Sequence, residues 1–253
     1  MRLRLLILLT RIALKMTSVV TTSAPAACWA CSVALDASPL LCAACGKVQP
    51  AAEIDYFRAF GLPRRLTLDL AALEREFHRL SRRLHPDRFA RATAEEQQWS
   101  LAATALLNDA YRTLRDPIQR TEYLLKLEGF EIGEEFAGKN KSAKRQPPAD
   151  LLEEVFELNM QLEEMRMNRK MGESDPALHS ELTAVSLRFE SELAKLDSGL
   201  AEKGAAWDAS SAAGDDAARA AAAKDMAAQL DRRRYLRNLV RDVNEALTTD
   251  KES

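Results

Sequence analysis

Residues 68–89 read LDLAALEREFHRLSRRLHPDRF, and the architecture follows from this stretch. Leu73, Phe77, Leu80 and Leu84 recur at helical spacing and make one apolar stripe. Arg75, Arg79, Arg82 and Arg83, with His78 among them, fall off that stripe. The helix therefore has a core face and a strongly basic face. Pro86 cannot continue a helix and biases His85 away from helical dihedrals. His85-Pro86-Asp87 is thus expected in a loop just past the helix end. A second helix, from about Ala94 to Arg115, folds back through Trp99, Ala103, Leu106, Ala110, Tyr111 and Leu114. At neutral pH Asp87 is an acceptor-only carboxylate, best matched by the fork of a partner arginine. Pro86 narrows the freedom of the loop, so less entropy is lost on docking. Taken alone, the tripeptide is equally an ordinary turn beside a solvated face.

Upstream, Cys28-Trp-Ala-Cys31 and Cys42-Ala-Ala-Cys45 form two C-x2-C pairs, and the rest of the chain has no cysteine. A disulfide scaffold would spread its bridges through the fold, whereas clustered pairs point to a metal and a reducing compartment. Four thiolates close a tetrahedral site with no open position, so the ion is structural rather than catalytic. Zinc is the first choice and iron in a rubredoxin-like site the alternative, because sulfur ligands suit both. The segment 28–49 has one lysine, Lys47, and no arginine, which leaves little charge for phosphate binding.

Residues 1–27 carry Arg2, Arg4 and Arg11, are rich in Ser and Thr, and precede the first acidic residue, Asp36. This is the profile of a transit peptide, with the mitochondrial matrix the first address and plastid or cytoplasm the alternatives. A secretory signal is the rival, since Ala24, Ala26 and Ala27 follow the short apolar run Leu5–Leu9. That run is too short to span a bilayer, and no membrane association is expected. Downstream of a helical region at 54–130, residues 131–149 read as a solvated linker with Gly133, Gly138, Pro147 and Pro148. Residues 150–250 then hold three long helices, expected as an antiparallel bundle. Asp150 is expected to cap the first of them, and Gly204 to Gly214 to form a loop between the second and third. The expected fold class is all-α: a helical hairpin with short flanking helices, a three-helix bundle, and a small four-cysteine metal knuckle in front. Aromatic residues are only 6% of the 253, which suits thin helical bundles better than a sheet-rich enzyme.

The tripeptide does not stand alone. Asp55-Tyr56-Phe57, the basic helix, Asn108-x-Ala110-Tyr111-x-Thr113-Leu114 and Arg120-x-Glu122-Tyr123-Leu124-Leu125 together resemble the J domain of the HscB family, a branch of J proteins serving iron–sulfur cluster assembly. The resemblance covers residues 54–130. More loosely, 151–166 and 232–247 resemble the first and last helices of the family's C-terminal bundle. The cysteine pairs resemble the zinc segment of animal-type members. The resemblance implies a co-chaperone whose His85, Pro86 and Asp87 dock on a heat-shock 70 kDa-class chaperone and stimulate its ATPase, with Arg75, Arg79, Arg82 and Arg83 steering. It also implies that the iron–sulfur scaffold protein binds a patch at Leu152, Phe156, Glu157, Glu164 and Tyr235. Periodicity alone would instead turn Leu152, Phe156 and Met160 into a bundle core. Glu153 and Met160 depart from the family pattern, where an apolar residue and a carboxylate are common.

Other classes fit less well. His78, His85 and His179 are scattered and pair with no nucleophile, so the chain is read as no enzyme. A formal net charge of −2 and a basic face one helix wide argue against a nucleic-acid partner. A general J-domain co-chaperone with another client is the nearer alternative, and the sequence leaves a homodimer open.

Overall fold

The computed structural model describes residues 27–35, 40–51, 54–130 and 149–249. The expected transit peptide and the linker lie outside the described residues, apart from Ala27 and Ala149 at their ends. The protein is all-α; among the described residues the only extended pairing is two isolated bridges, Ala27 with Ala34 and Leu41 with Val48.

Each helix in the first half starts where the sequence supplies a cap. α1 (Tyr56–Ala59) follows Asp55, whose carboxylate accepts from the Arg58 amide. α2 (Leu70–Leu84) follows Asp69, which accepts from the Ala72 amide. α3 (Ala94–Arg115) opens on a capping box in which Thr93 and Glu96 satisfy each other's amides. α4 (Pro117–Leu127) pairs an Asp116 cap with a proline in its first turn. The apolar stripe of α2 closes on α3 through Leu73, Leu80, Leu84, Ala103, Leu107 and Ala110, with Phe57 of α1 and Leu124 of α4 completing the core.

In the second half, α5 (Leu152–Met171) ends at Gly172, which adopts a left-handed φ of 70°. α6 (Pro176–Ala213) and α7 (Asp216–Thr249) form a long hairpin that turns at Gly214, again at φ 70°. Each of the two is more than about 50 Å long at 1.5 Å per residue. The loop expected at Gly204–Gly214 is therefore helix up to Ala213. Alanine and serine sustain a helix well enough there, and the lack of a side chain at Gly204 lets α6 lie against Leu66. A Cβ at Gly204 would come within 3.2 Å of that leucine. The expected Asp150 cap is also corrected: Leu151 holds the cap position without a side-chain bond. Asp150 instead binds Arg232 of α7 at 2.7 and 3.0 Å.

The hairpin belongs to two cores. At one end Leu178, Leu182, Phe189, Leu236 and Val243 pack on α5. At the other, Leu200, Trp207, Met226 and Leu230 join the cluster of α2, α3 and α4. Asp208 locks that junction by accepting from the amides of Leu66 and Thr67, both at 2.8 Å.

Candidate functional site

Three surfaces carry the chemistry-bearing residues. In the first, the Sγ atoms of Cys28, Cys31, Cys42 and Cys45 all lie within 4.8 Å of one another. Cys28–Cys45 and Cys31–Cys42 are each 3.6 Å apart, and the four are free thiols. A tetrahedral ion with bonds of about 2.3 Å would set its sulfurs about 3.8 Å apart, so the four residues fit such an ion. Two matching turns make the cage. The Cys28 carbonyl accepts from the Ser32 amide and the Cys42 carbonyl from the Gly46 amide, each at 2.9 Å. Both turns need a left-handed residue, and φ is 71° at Gly46 and 59° at Ser32. Gln49, 2% exposed, points its amide at the Cys28 sulfur at 3.3 Å. Burial raises the Cys28 thiol, but amides at Ala30 and Cys31 with the neighbouring thiols outweigh it and bring the group down to about 6.

This knuckle sits on the start of α3. Trp29 meets Trp99 edge-on at 5.5 Å, and its indole donates to the Val48 carbonyl at 2.8 Å. Lys47 reaches the buried Glu96 at 2.7 Å. That bond, against the opposing effect of burial, holds Glu96 below the usual carboxylate range.

The second surface is the end of α2. The Leu84 carbonyl, which α2 leaves unpaired, accepts from Ser100 Oγ at 2.6 Å and Thr104 Oγ1 at 3.2 Å, both on α3. His85 then turns the chain, and Pro86–Phe89 form a single 3-10 turn rather than an irregular loop. His85 Nδ1 accepts from the Asp87 amide at 3.3 Å, which directs the other ring nitrogen outward. The Asp87 side chain is 90% exposed. Along the helix Arg75, Arg79 and Arg82 are exposed and Arg83 half-buried. Arg79 is engaged by Glu76 at 2.5 Å and Arg82 by the His78 carbonyl at 3.1 Å. Arg75 and Arg83 form no ion pair among the described residues. Behind them Phe77 stacks on Tyr111 at 4.2 Å and fixes the rotation of α2 on α3.

The third surface runs along α5. Val155, Leu158, Leu162 and Met165 face the core, whereas Leu152, Phe156 and Met160 are 55%, 68% and 60% exposed. Periodicity would have buried that second set, so the core expectation is corrected. Met167 and Met171 extend the exposed stripe to the end of the helix. Glu157 and Glu164 are exposed on one flank. On the other, half-buried Tyr235 shares a cleft with Val155 and Asn159.

No protein-family model matches the chain. Among solved structures it is similar to the chaperone HscB from Vibrio cholerae, with a TM-score of 0.51 and 25% identity over 79% of this chain and 100% of that one. It is also similar to the human co-chaperone protein HscB, with a TM-score of 0.57 and 24% identity over 89% of this chain and 98% of that one. The chain has the HscB fold. Within that fold, every sequence-chosen residue of the cysteine cage converges on one point, and the His85–Asp87 turn lies beside the basic face. The stripe on α5 stands apart from both. Sequence reasoning missed the groups that hold these surfaces: Gln49, Ser100, Thr104 and Asp208. It also passed over the caps Asp55, Asp69, Thr93 and Asp116, which do have a readable signature just ahead of each helix.

Proposed function

We propose that this chain is an HscB-type J-domain co-chaperone for iron–sulfur cluster assembly, one that carries out no chemistry of its own. The observation that carries the reading is the Asp87 carboxylate, 90% exposed on a turn that Ser100 and Thr104 anchor beside the basic face of α2. A rigidly presented carboxylate next to four arginines suits a partner surface that is acidic around a single cation. His85, Pro86 and Asp87 dock on a heat-shock 70 kDa-class chaperone, and Arg75, Arg79, Arg82 and Arg83 steer the encounter. Binding the chaperone more tightly in the conformation nearer its hydrolysis transition state stimulates the ATPase. The stripe of α5, through Leu152 and Phe156 with Glu157, Glu164 and Tyr235 at its margins, holds the iron–sulfur scaffold protein. An exposed apolar row of that length is a feature soluble proteins keep for a partner. The four cysteines hold structural zinc, with iron the alternative, and the N-terminal residues address the protein to the mitochondrial matrix. Among the described residues no helix is long and apolar enough to cross a membrane.

The test is steady-state ATPase of the cognate chaperone, with and without purified scaffold, on adding wild type or His85→Gln. Wild type stimulates, scaffold raises the stimulation further, and the variant does neither. Stimulation indifferent to scaffold would leave a general J protein, and no stimulation would reduce the tripeptide to a turn.

A further inference from the structure

A cavity of about 320 Å³ opens where the first half of the molecule meets the long hairpin. Its walls come from the segment before α2 (Leu66, Thr67), the first turn of α4 (Ile118, Arg120) and α6 (Asp197, Leu200). It shares none of its residues with the three surfaces described above. Most of that lining is apolar; its polar members are Thr67, Arg120, Thr121 and Asp197, and Arg120 is the unusual one. Arg120 is a charged residue only 8% exposed. Its Nη1 donates to the Leu114 carbonyl, while its buried Nε has no hydrogen-bond partner among the described residues. Burial holds the group below the ordinary arginine range, against the attraction of Asp116 and Asp208. Neither carboxylate bonds to it. Asp116 is committed to the amides of Ile118 and Gln119, and Asp208 to those of Leu66 and Thr67.

A buried guanidinium answered by one neutral carbonyl is costly, and a second acceptor where Arg120 lines the cavity would relieve part of that cost. Carboxylates match the guanidinium fork. The remaining walls set the rest of the ligand. Leu66, Ile118 and Leu200 ask for an apolar body, and a volume near the lower end of small-ligand sites keeps it short. Asp197, at the rim, is already paired with Arg233 at 2.5 Å. Together with Asp116 and Asp208 it disfavours a second negative charge. We propose that this cavity binds a small amphiphilic monocarboxylate, with its carboxylate on Arg120 and its chain against Leu66, Ile118 and Leu200. Such a ligand touches both halves of the molecule and fastens the J-like half to the hairpin.

The probe is hexanoate, added to the full-length, metal-loaded protein, with hexanol and inorganic phosphate as controls. Thermal unfolding and titration calorimetry are expected to show saturable hexanoate binding in the millimolar range, with amide exchange slowed at Leu66 and Thr67. Hexanol lacks the carboxylate and phosphate lacks the chain, so both bind about tenfold more weakly or not at all. Arg120→Met abolishes the hexanoate response. Should that variant fail to fold, Ala201→Glu, an exposed change at the cavity mouth, folds as wild type and weakens hexanoate about tenfold by like-charge repulsion. Equal binding of hexanol would make the cavity a mere apolar hole. Binding of phosphate alone would make it an anion site of another kind. Either result, an absent hexanoate response, or indifference to Ala201→Glu overturns the proposal.

Discussion

The helices α2 and α5 both present a face to solvent, but they do so in opposite ways. On α2 apolar and charged residues separate cleanly: Leu73, Leu80 and Leu84 are buried and the arginines lie outside. On α5 apolar residues occupy two faces, one inside with Leu158 and Leu162, one outside with Leu152, Phe156 and Met160. A helix that is apolar on one side needs only its own core to explain it. One that is apolar on two sides has a second demand on it, and here the second face meets no other described element. The difference teaches that an outward surface built from charge is readable beside its core, whereas one built from hydrophobes imitates a core.

The largest effect expected from breaking this comparison is on stability. Leu162→Ala removes a side chain 5% exposed in the α5 core and should cost about 2–5 kcal/mol by urea denaturation. Phe156→Ser, one and a half turns away and 68% exposed, should leave the midpoint within about 0.5 kcal/mol. Comparable losses from both would mean that the outer stripe is structural. The same serine variant sharpens the functional half of the comparison. It should weaken scaffold binding about 10- to 100-fold by calorimetry, as an interface aromatic does, while ATPase stimulation without scaffold stays at the wild-type level. Asp87→Asn should do the reverse. A variant that lost both activities would join the two surfaces into one.

Much of the first half is legible in the amino-acid sequence. Asp55, Asp69, Thr93 and Asp116 announce helix starts, Pro86 announces a stop, and the C-x2-C pairs announce their own convergence. These are local signals, carried by residues within a few positions of what they control. What stays hidden is non-local. The junction depends on Asp208 meeting amides at positions 66 and 67, and on Gly204 letting Leu66 approach. Judged by its neighbours in sequence, the same glycine looks like a loop. The choice between the two faces of α5 is hidden for the same reason, since only the hairpin decides which face it covers. The anchors behind the His85–Asp87 turn are likewise across the core, on α3.

Those anchors give the next test, aimed at the charged surface alone. Ser100→Ala leaves the Leu84 carbonyl with only Thr104 Oγ1 and should cost about 1–2 kcal/mol of stability. Because the turn begins at the next residue, stimulation of the chaperone should fall at temperatures where the variant is still folded. Scaffold affinity, set on α5, should not move. A drop in stability with normal stimulation would show that the turn is held by Pro86 and its own bonds, not by α3.

The smallest effect concerns how α5 is tied down at its start, where Asp150 binds Arg232 of α7. The Arg232 guanidinium holds the Asp150 carboxyl below its ordinary value, with burial opposing. A carboxyl depressed in the folded state binds its proton more readily when unfolded. Its stabilising contribution is therefore complete above the unfolded value, near 3.9, and fades as pH falls through the lower folded one. Asp150→Asn should be slightly less stable than wild type at pH 7, and the gap should close as the pH falls below about 4. Both partners are partly in water, so added salt should shrink the gap at pH 7 as well. No gap at pH 7 would mean that Asp150 acts through its backbone, which asparagine keeps, in the turn at Ala149–Leu151. The start of α5 would then be held by local geometry, as α2 is, instead of by a long-range charge pair.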